Sequence, residues 1–157
     1  MQKISPFLWF DRQAEEAVNF YVSVFKTAKV VTTTRYGEGA PAPKGTVMTV
    51  VFQLFGQEFI ALNGGPHYKF SPAISFVVNC QTQPEVDELW ERLSHGGQIQ
   101  QCGWLQDKYG VSWQIVPTIL GELLQLKDAE KSKRVMQAML GMRKLDIAGL
   151  KRAAESV

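Results

Sequence analysis

The chain has 157 residues, 45% apolar and 20% charged, with a formal net charge of +2 and two cysteines. That balance excludes an intrinsically disordered chain, and no apolar run approaches the roughly 20 residues of a membrane span. Residues 1–117 carry nine Lys and Arg against ten Asp and Glu, while residues 118–157 carry eight against five. The tail excess is spread at helical spacing without clustered Arg, Lys and aromatic residues, so no nucleic-acid partner is expected. The N-terminus MQKISPFLWF has no long apolar region or small-residue cleavage site, which reads as a cytoplasmic protein without a signal peptide.

In chain order, Ile4 to Phe10 reads as a strand, and Ala14, Ala17, Val18, Tyr21, Val22 and Phe25 form one stripe of an amphipathic helix. The β-branched stretch from Thr27 to Tyr36 is a second strand. GEGAPAPKG (37–45) holds three Gly and two Pro and is a loop. Thr46 to Leu54 and Gln57 to Leu62 are two strands joined by a Phe55–Gly56 turn. After the Gly64, Gly65, Pro66 break the order repeats. Ala73 to Val78 is a strand. Gln83 to Ser94 is a helix with Val86, Leu89, Trp90 and Leu93 on one face and Gly96–Gly97 at its end. Gln98 to Leu105 is a weaker strand or pair of strands, Asp107 to Gly110 a turn, and Val111 to Val116 the closing strand. Trp113 is expected to pack under the second helix. Three further helices follow, over 119–126, 129–142 and 147 to about 155, the last two capped by Asp128 and Asp146. Met136, Met139, Met142 and Leu140 read as an adaptable core patch, with a dimer or partner surface as the rival reading.

Two short segments occur twice. FGQEFIAL (55–62) returns 54 residues later as YGVSWQIV (109–116), and SPFLWF (5–10) returns 66 residues later as SPAISF (71–76). The fold class is therefore α+β: two βαβββ modules over residues 1–117, the first at 1–66 and the second at 67–117, plus a helical extension at 118–157.

The stretches LNGGPHYKFSPAISFVVNC (62–80), KYGVSWQIVP (108–117) and RVMQAMLGMRKLDIAGL (134–150) resemble the vicinal oxygen chelate superfamily. This is the glyoxalase, bleomycin-resistance and dioxygenase group, and the likeness is to its PhnB-like branch, whose members often bear the label 3-demethylubiquinone-9 3-methyltransferase. The resemblance implies paired modules whose sheets curl into an open cup, a ligand site in the concave face, and a homodimer. In metal-dependent members one residue from the first and one from the last strand of each module holds a divalent ion. By the repeat, those positions fall on Phe7, Ile60, Ala73 and Gln114. Three cannot donate a lone pair and a single neutral amide does not hold a transition metal, so neither metal nor cofactor is expected.

Among the neighbours, Asp11 and Glu58 carry donors, and a displaced set of His67, Glu58 and Gln114 would need the joining loop to fold over the cup. His95 beside the helix end reads as a C-terminal helix residue. Cys80 and Cys102 have no histidine at a spacing that places a base beside them and read as structural thiols. The pairs Glu15–Glu16 and Asp87–Glu88 read as solvated helix faces. A nucleotide-type methyltransferase needs a strand, a glycine-rich turn and a helix, and neither glycine pair opens a helix.

What remains is an aromatic-lined cup for a flat or apolar small molecule, with Trp9, Phe52, Asn63, His67, Ser75 and Gln114 as ligand-binding candidates. Phe7, Ile60, Arg35 and Tyr36 are expected beside them. The alternatives are a metal-dependent glyoxalase- or dioxygenase-type enzyme with a displaced ligand set, and a dimerisation or interaction module.

Overall fold

The computed structural model describes residues 2–156. Its elements are β1 (Phe7–Phe10), α1 (Ala14–Val24), β2 (Ala28–Arg35), β3 (Val47–Leu54), β4 (Gln57–Asn63), β5 (Ser75–Cys80), α2 (Gln83–Ser94), β6 (Gln98–Ile99), β7 (Trp104–Gln106), β8 (Ser112–Pro117), α3 (Ile119–Leu124), α4 (Ala129–Leu140) and α5 (Ile147–Glu155). They fall into two compact units, Met1–Phe70 and Ser71–Val157. Each unit holds one four-stranded sheet, in the orders β1-β4-β3-β2 and β5-β8-β7-β6. The class is thus α+β with two βαβββ modules and C-terminal helices, as the repeat requires.

In the first unit, period-two alternation sorts the side chains between two faces. Leu8, Phe10, Val50, Phe52, Leu54, Phe59 and Ala61 are buried together with the apolar stripe of α1, Ala14, Ala17, Val18 and Tyr21. Aromatic rings fill this core: Phe52 stacks on Tyr21 at 6.1 Å and on Phe59 at 5.3 Å between centroids. The strands β3 and β4 are joined by Phe55 and Gly56, both at positive φ (51° and 78°), the two-residue turn whose twist matches that of the strands. A phenylalanine is strained there, and its ring meets Phe25 edge-on at 5.8 Å.

In the second unit, Val86, Leu89, Trp90 and Leu93 of α2 are buried with Trp113, Ile115 and Leu105 of the sheet. Thr82 caps the helix by accepting from the Glu85 amide, and Pro84 sits in its first turn. Cys102 and Gly103, at φ 59° and 82°, turn the chain from β6 to β7. The tail helices share a core of Leu120, Val135, Leu145, Leu150 and Ala154, against which Met139 and Met142 pack. Met136 and Leu140 instead remain exposed, so the methionine group divides between core and surface. Gln83 clasps this tail: its amide accepts from the Ile147 N–H and donates to the Leu145 carbonyl and to Asp87. Lys144 pairs with Asp87 at 2.9 Å, and the Gln83 amide and the ammonium together hold the Asp87 carboxyl below its ordinary range.

β5 starts two residues later than the sequence suggests. Ser71 to Ile74 is a turn, with the Ile74 amide donating to the Ser71 carbonyl, and Ile74 is 74% exposed. Among the described residues, no helix is long and apolar enough to cross a membrane.

Candidate functional site

The register of the sheets fixes the strand positions at which the resemblance places a metal. In the first unit β1 runs parallel to β4 with Phe7 opposite Ile60. In the second, β5 runs parallel to β8 with Val77 opposite Gln114. Since Ile60 and Gln114 occupy the same place in the FG/YG repeat, the counterpart of Phe7 is Val77. The expected Ala73 is corrected: SPFLWF and SPAISF are similar in composition but stand four residues apart in register. The ends of the strands agree, because Phe10 pairs with Asn63 and Cys80 with Pro117. A slip of four residues keeps strand parity, so the error leaves no trace in the alternation. Neither pair fits a divalent ion: Phe7 and Ile60 offer no lone pair, and Val77 and Gln114 offer one neutral amide.

The displaced set fares no better. Glu58 accepts a hydrogen bond from Ser5 at 3.3 Å near the start of β4, whereas His67 lies beyond its end. Asn63 lies five residue steps beyond Glu58 along β4, roughly 16 Å at 3.3 Å per residue, so Glu58 and His67 do not meet. Among the described residues no three of His, Cys, Asp and Glu come together as a metal group.

The six expected ligand-binding residues have different surroundings. Trp9 is half-buried on the face of β1 turned away from α1. Its indole Nε1 donates to the Gly65 carbonyl at 2.9 Å and its ring meets Tyr68 edge-on at 4.9 Å. Gly64 is the seat of that ring: a Cβ there would lie 2.3 Å from Trp9 Cε2. Phe52 is corrected from ligand wall to core, because it points toward α1 and is 1% exposed. Asn63 is structural on all sides. Its Oδ1 accepts from the Ala14 N–H at 2.8 Å, capping α1 where Gln13 has no side-chain cap, and its Nδ2 donates to the Val47 carbonyl. Its own carbonyl accepts the Tyr36 hydroxyl at 2.6 Å.

His67 is exposed on the loop after β4. Ser75 and Gln114 are half-buried in the second unit, where the Gln114 amide Nε2 donates to Ser75 Oγ at 2.9 Å. That bond leaves the Gln114 Oε1 as an acceptor on the open sheet face. Arg35 is exposed and donates to the Gly45 carbonyl. Cys80 is fully buried, and burial, with Glu85 adding to it, pushes its thiol up to about 12, so it is no nucleophile near neutral pH.

The sequence did not reveal a cleft of about 710 Å³ in the first unit. It opens between the β1–α1 turn, the loop from Tyr36 to Val47 and the loop from Asn63 to His67. Asp11 and Glu15 line it together with Tyr36, Pro41, Pro43 and His67.

The sequence model of the 3-demethylubiquinone-9 3-methyltransferase family matches residues 2–116. The chain belongs to this family. A putative 3-demethylubiquinone-9 3-methyltransferase, the PhnB protein from Bacillus cereus, is 40% identical, with a TM-score of 0.69 over 74% of this chain and 100% of that one. Protein PA1353 from Pseudomonas aeruginosa (20% identity, TM-score 0.62, 74% of this chain and 98% of that one) shares the fold. So does the fosfomycin resistance protein FosX from Listeria monocytogenes (16% identity, TM-score 0.50, 78% and 97%). No curated protein matches the chain. The family's name speaks of methyl transfer, yet Gly64–Gly65 leads into Pro66 and Gly96–Gly97 follows α2, so neither forms a strand–turn–helix phosphate cradle.

Proposed function

We propose that the chain is a small-molecule binding protein that takes flat, apolar ligands on the open face of either sheet, each unit by itself, and uses no metal there. The observation that carries this reading is the chemistry of the faces turned away from the helices. On the first sheet that face bears Phe7, Trp9, Ile60 and Leu62, with Phe7 55% exposed; on the second it bears Val77, 51% exposed, beside Gln114 and Trp104. Thr49, Gln53 and Glu58 flank this apolar area on the first sheet, and apolar area edged by a few polar groups is the composition of a surface for a planar molecule. On the second sheet Ser75 and Gln114 would supply the polar contact, and on the first sheet Trp9 would supply a stacking surface.

The same half-exposed faces suit a homodimer in a cytoplasmic setting, and both belong to this reading. A division into paired modules over 1–117 and a helical extension over 118–157 is supported by the family match, which ends at residue 116.

Titration with 2-naphthol tests the reading. Quenching of tryptophan fluorescence should saturate, and Trp9→Phe or Trp104→Phe should remove about half of it, because Trp90 and Trp113 are buried away from both open faces. Quenching left intact in both variants would put the ligand elsewhere.

A further inference from the structure

We propose that the 710 Å³ cleft of the first unit is a second site, for a small molecule bearing a primary ammonium group on an apolar or aromatic body. Its volume lies within the range of about 300–1,000 Å³ usual for small-molecule pockets. Its apolar wall is Pro41, Ala42, Pro43, Val47 and the ring of Tyr36. The neutral polar groups are already engaged: the Tyr36 hydroxyl is donated to the Asn63 carbonyl, and both ends of the Asn63 amide are bonded to backbone. The charged acceptors are therefore left to set the specificity.

Asp11 and Glu15 both line the cleft. Asp11 Oδ1 is buried and accepts no hydrogen bond, while the side chain as a whole is 43% exposed. Arg12 also lines the cleft, but it is 90% exposed with its Nε 3.8 Å from Asp11 Oδ1, too long for a hydrogen bond and screened by solvent. The roof brings no free cation either, since Lys44 is paired with Glu38 at 3.1 Å. A carboxylate that lines the same cleft as an aromatic ring and prolines is complementary to an N–H-bearing cation, which gains charge-assisted hydrogen bonds and a cation–π contact together. Asp11, Glu15 and His67 form no metal group among the described residues, which favours an organic cation over a metal ion.

The test is a titration of the full chain with benzylammonium, followed by amide NMR, with benzyltrimethylammonium, benzyl alcohol and benzoate as comparators. Saturable shifts are expected at the amides of Gly64, Gly65 and Thr46. Binding should be at least about tenfold weaker for benzoate and for the trimethyl compound, which has no N–H to donate. Asp11→Asn should weaken benzylammonium about tenfold with the remaining spectrum unchanged, and Glu15→Gln, on the exposed first turn of α1, should weaken it by a smaller factor. Equal binding of benzoate, an unaltered affinity in both variants, or an absence of saturable shifts at the cleft would overturn the proposal. Shifts confined to β1 and β4 amides, shared by benzyl alcohol, would overturn it while supporting the open-face site.

Discussion

Phe52→Ala is expected to lower the unfolding free energy of the first unit by about 4 kcal/mol. The ring is 1% exposed and stacks between Tyr21 and Phe59, so truncation removes its burial and leaves a cavity beneath α1 that rigid aromatic neighbours cannot close. Urea denaturation followed by circular dichroism measures the loss, seen as a lower midpoint with the slope preserved. A loss below about 1 kcal/mol would mean that the residue is not part of the core and would restore it as a ligand wall.

Asp107→Ala is the second large effect, expected to cost the second unit about 3–5 kcal/mol. The carboxylate is 3% exposed. Its Oδ1 accepts the amides of Tyr109 and Val111 at 2.8 and 3.1 Å, and its Oδ2 accepts the indole N–H of Trp113 at 2.9 Å. One side chain thus closes the turn before β8 and pins the central tryptophan of the sheet. Alanine strands three donors away from water. Asparagine keeps one acceptor oxygen and presents an NH₂ group to the remaining donor, so Asp107→Asn should fall between alanine and the native protein. Thermal unfolding read by Trp113 fluorescence checks the order. If alanine and asparagine were equally mild, the network would not be what holds the turn.

These two residues mark the limits of what the sequence disclosed. Local chemistry was legible wherever it repeats at short range. The stripes on α1 and α2, the Phe55–Gly56 turn, and the Asp128 and Asp146 caps all formed as their spacing requires. The duplicated order of elements revealed the α+β modules, and the quoted motifs revealed the family. Facing and register were less legible. Phe52 alternates correctly along β3, but alternation does not say which face the helix covers. SPAISF resembles SPFLWF, yet Ser71 and Pro72 spend themselves on a turn, and only the pairing of Val77 with Gln114 exposes the slip.

The cleft was invisible for a different reason. Asp11, Tyr36 and His67 are far apart in the chain and become neighbours only because Asn63 ties β4 to the start of α1 and to the Tyr36 hydroxyl. That tie is a long-range hydrogen-bond pattern with no local signature. Gly64 read as a break between modules; its actual role, making room for Trp9, required the ring to be in place.

The strand positions at which the resemblance places a metal are occupied by hydrocarbon and one amide. Metal analysis of protein purified without chelator, followed by titration with Zn(II), Ni(II) and Fe(II), tests most directly whether they hold one. Less than about a tenth of an equivalent of tightly bound metal is expected, because Phe7, Ile60 and Val77 have no lone pair to give. Retention of about one equivalent, lost on replacing Gln114 by alanine, would contradict this expectation.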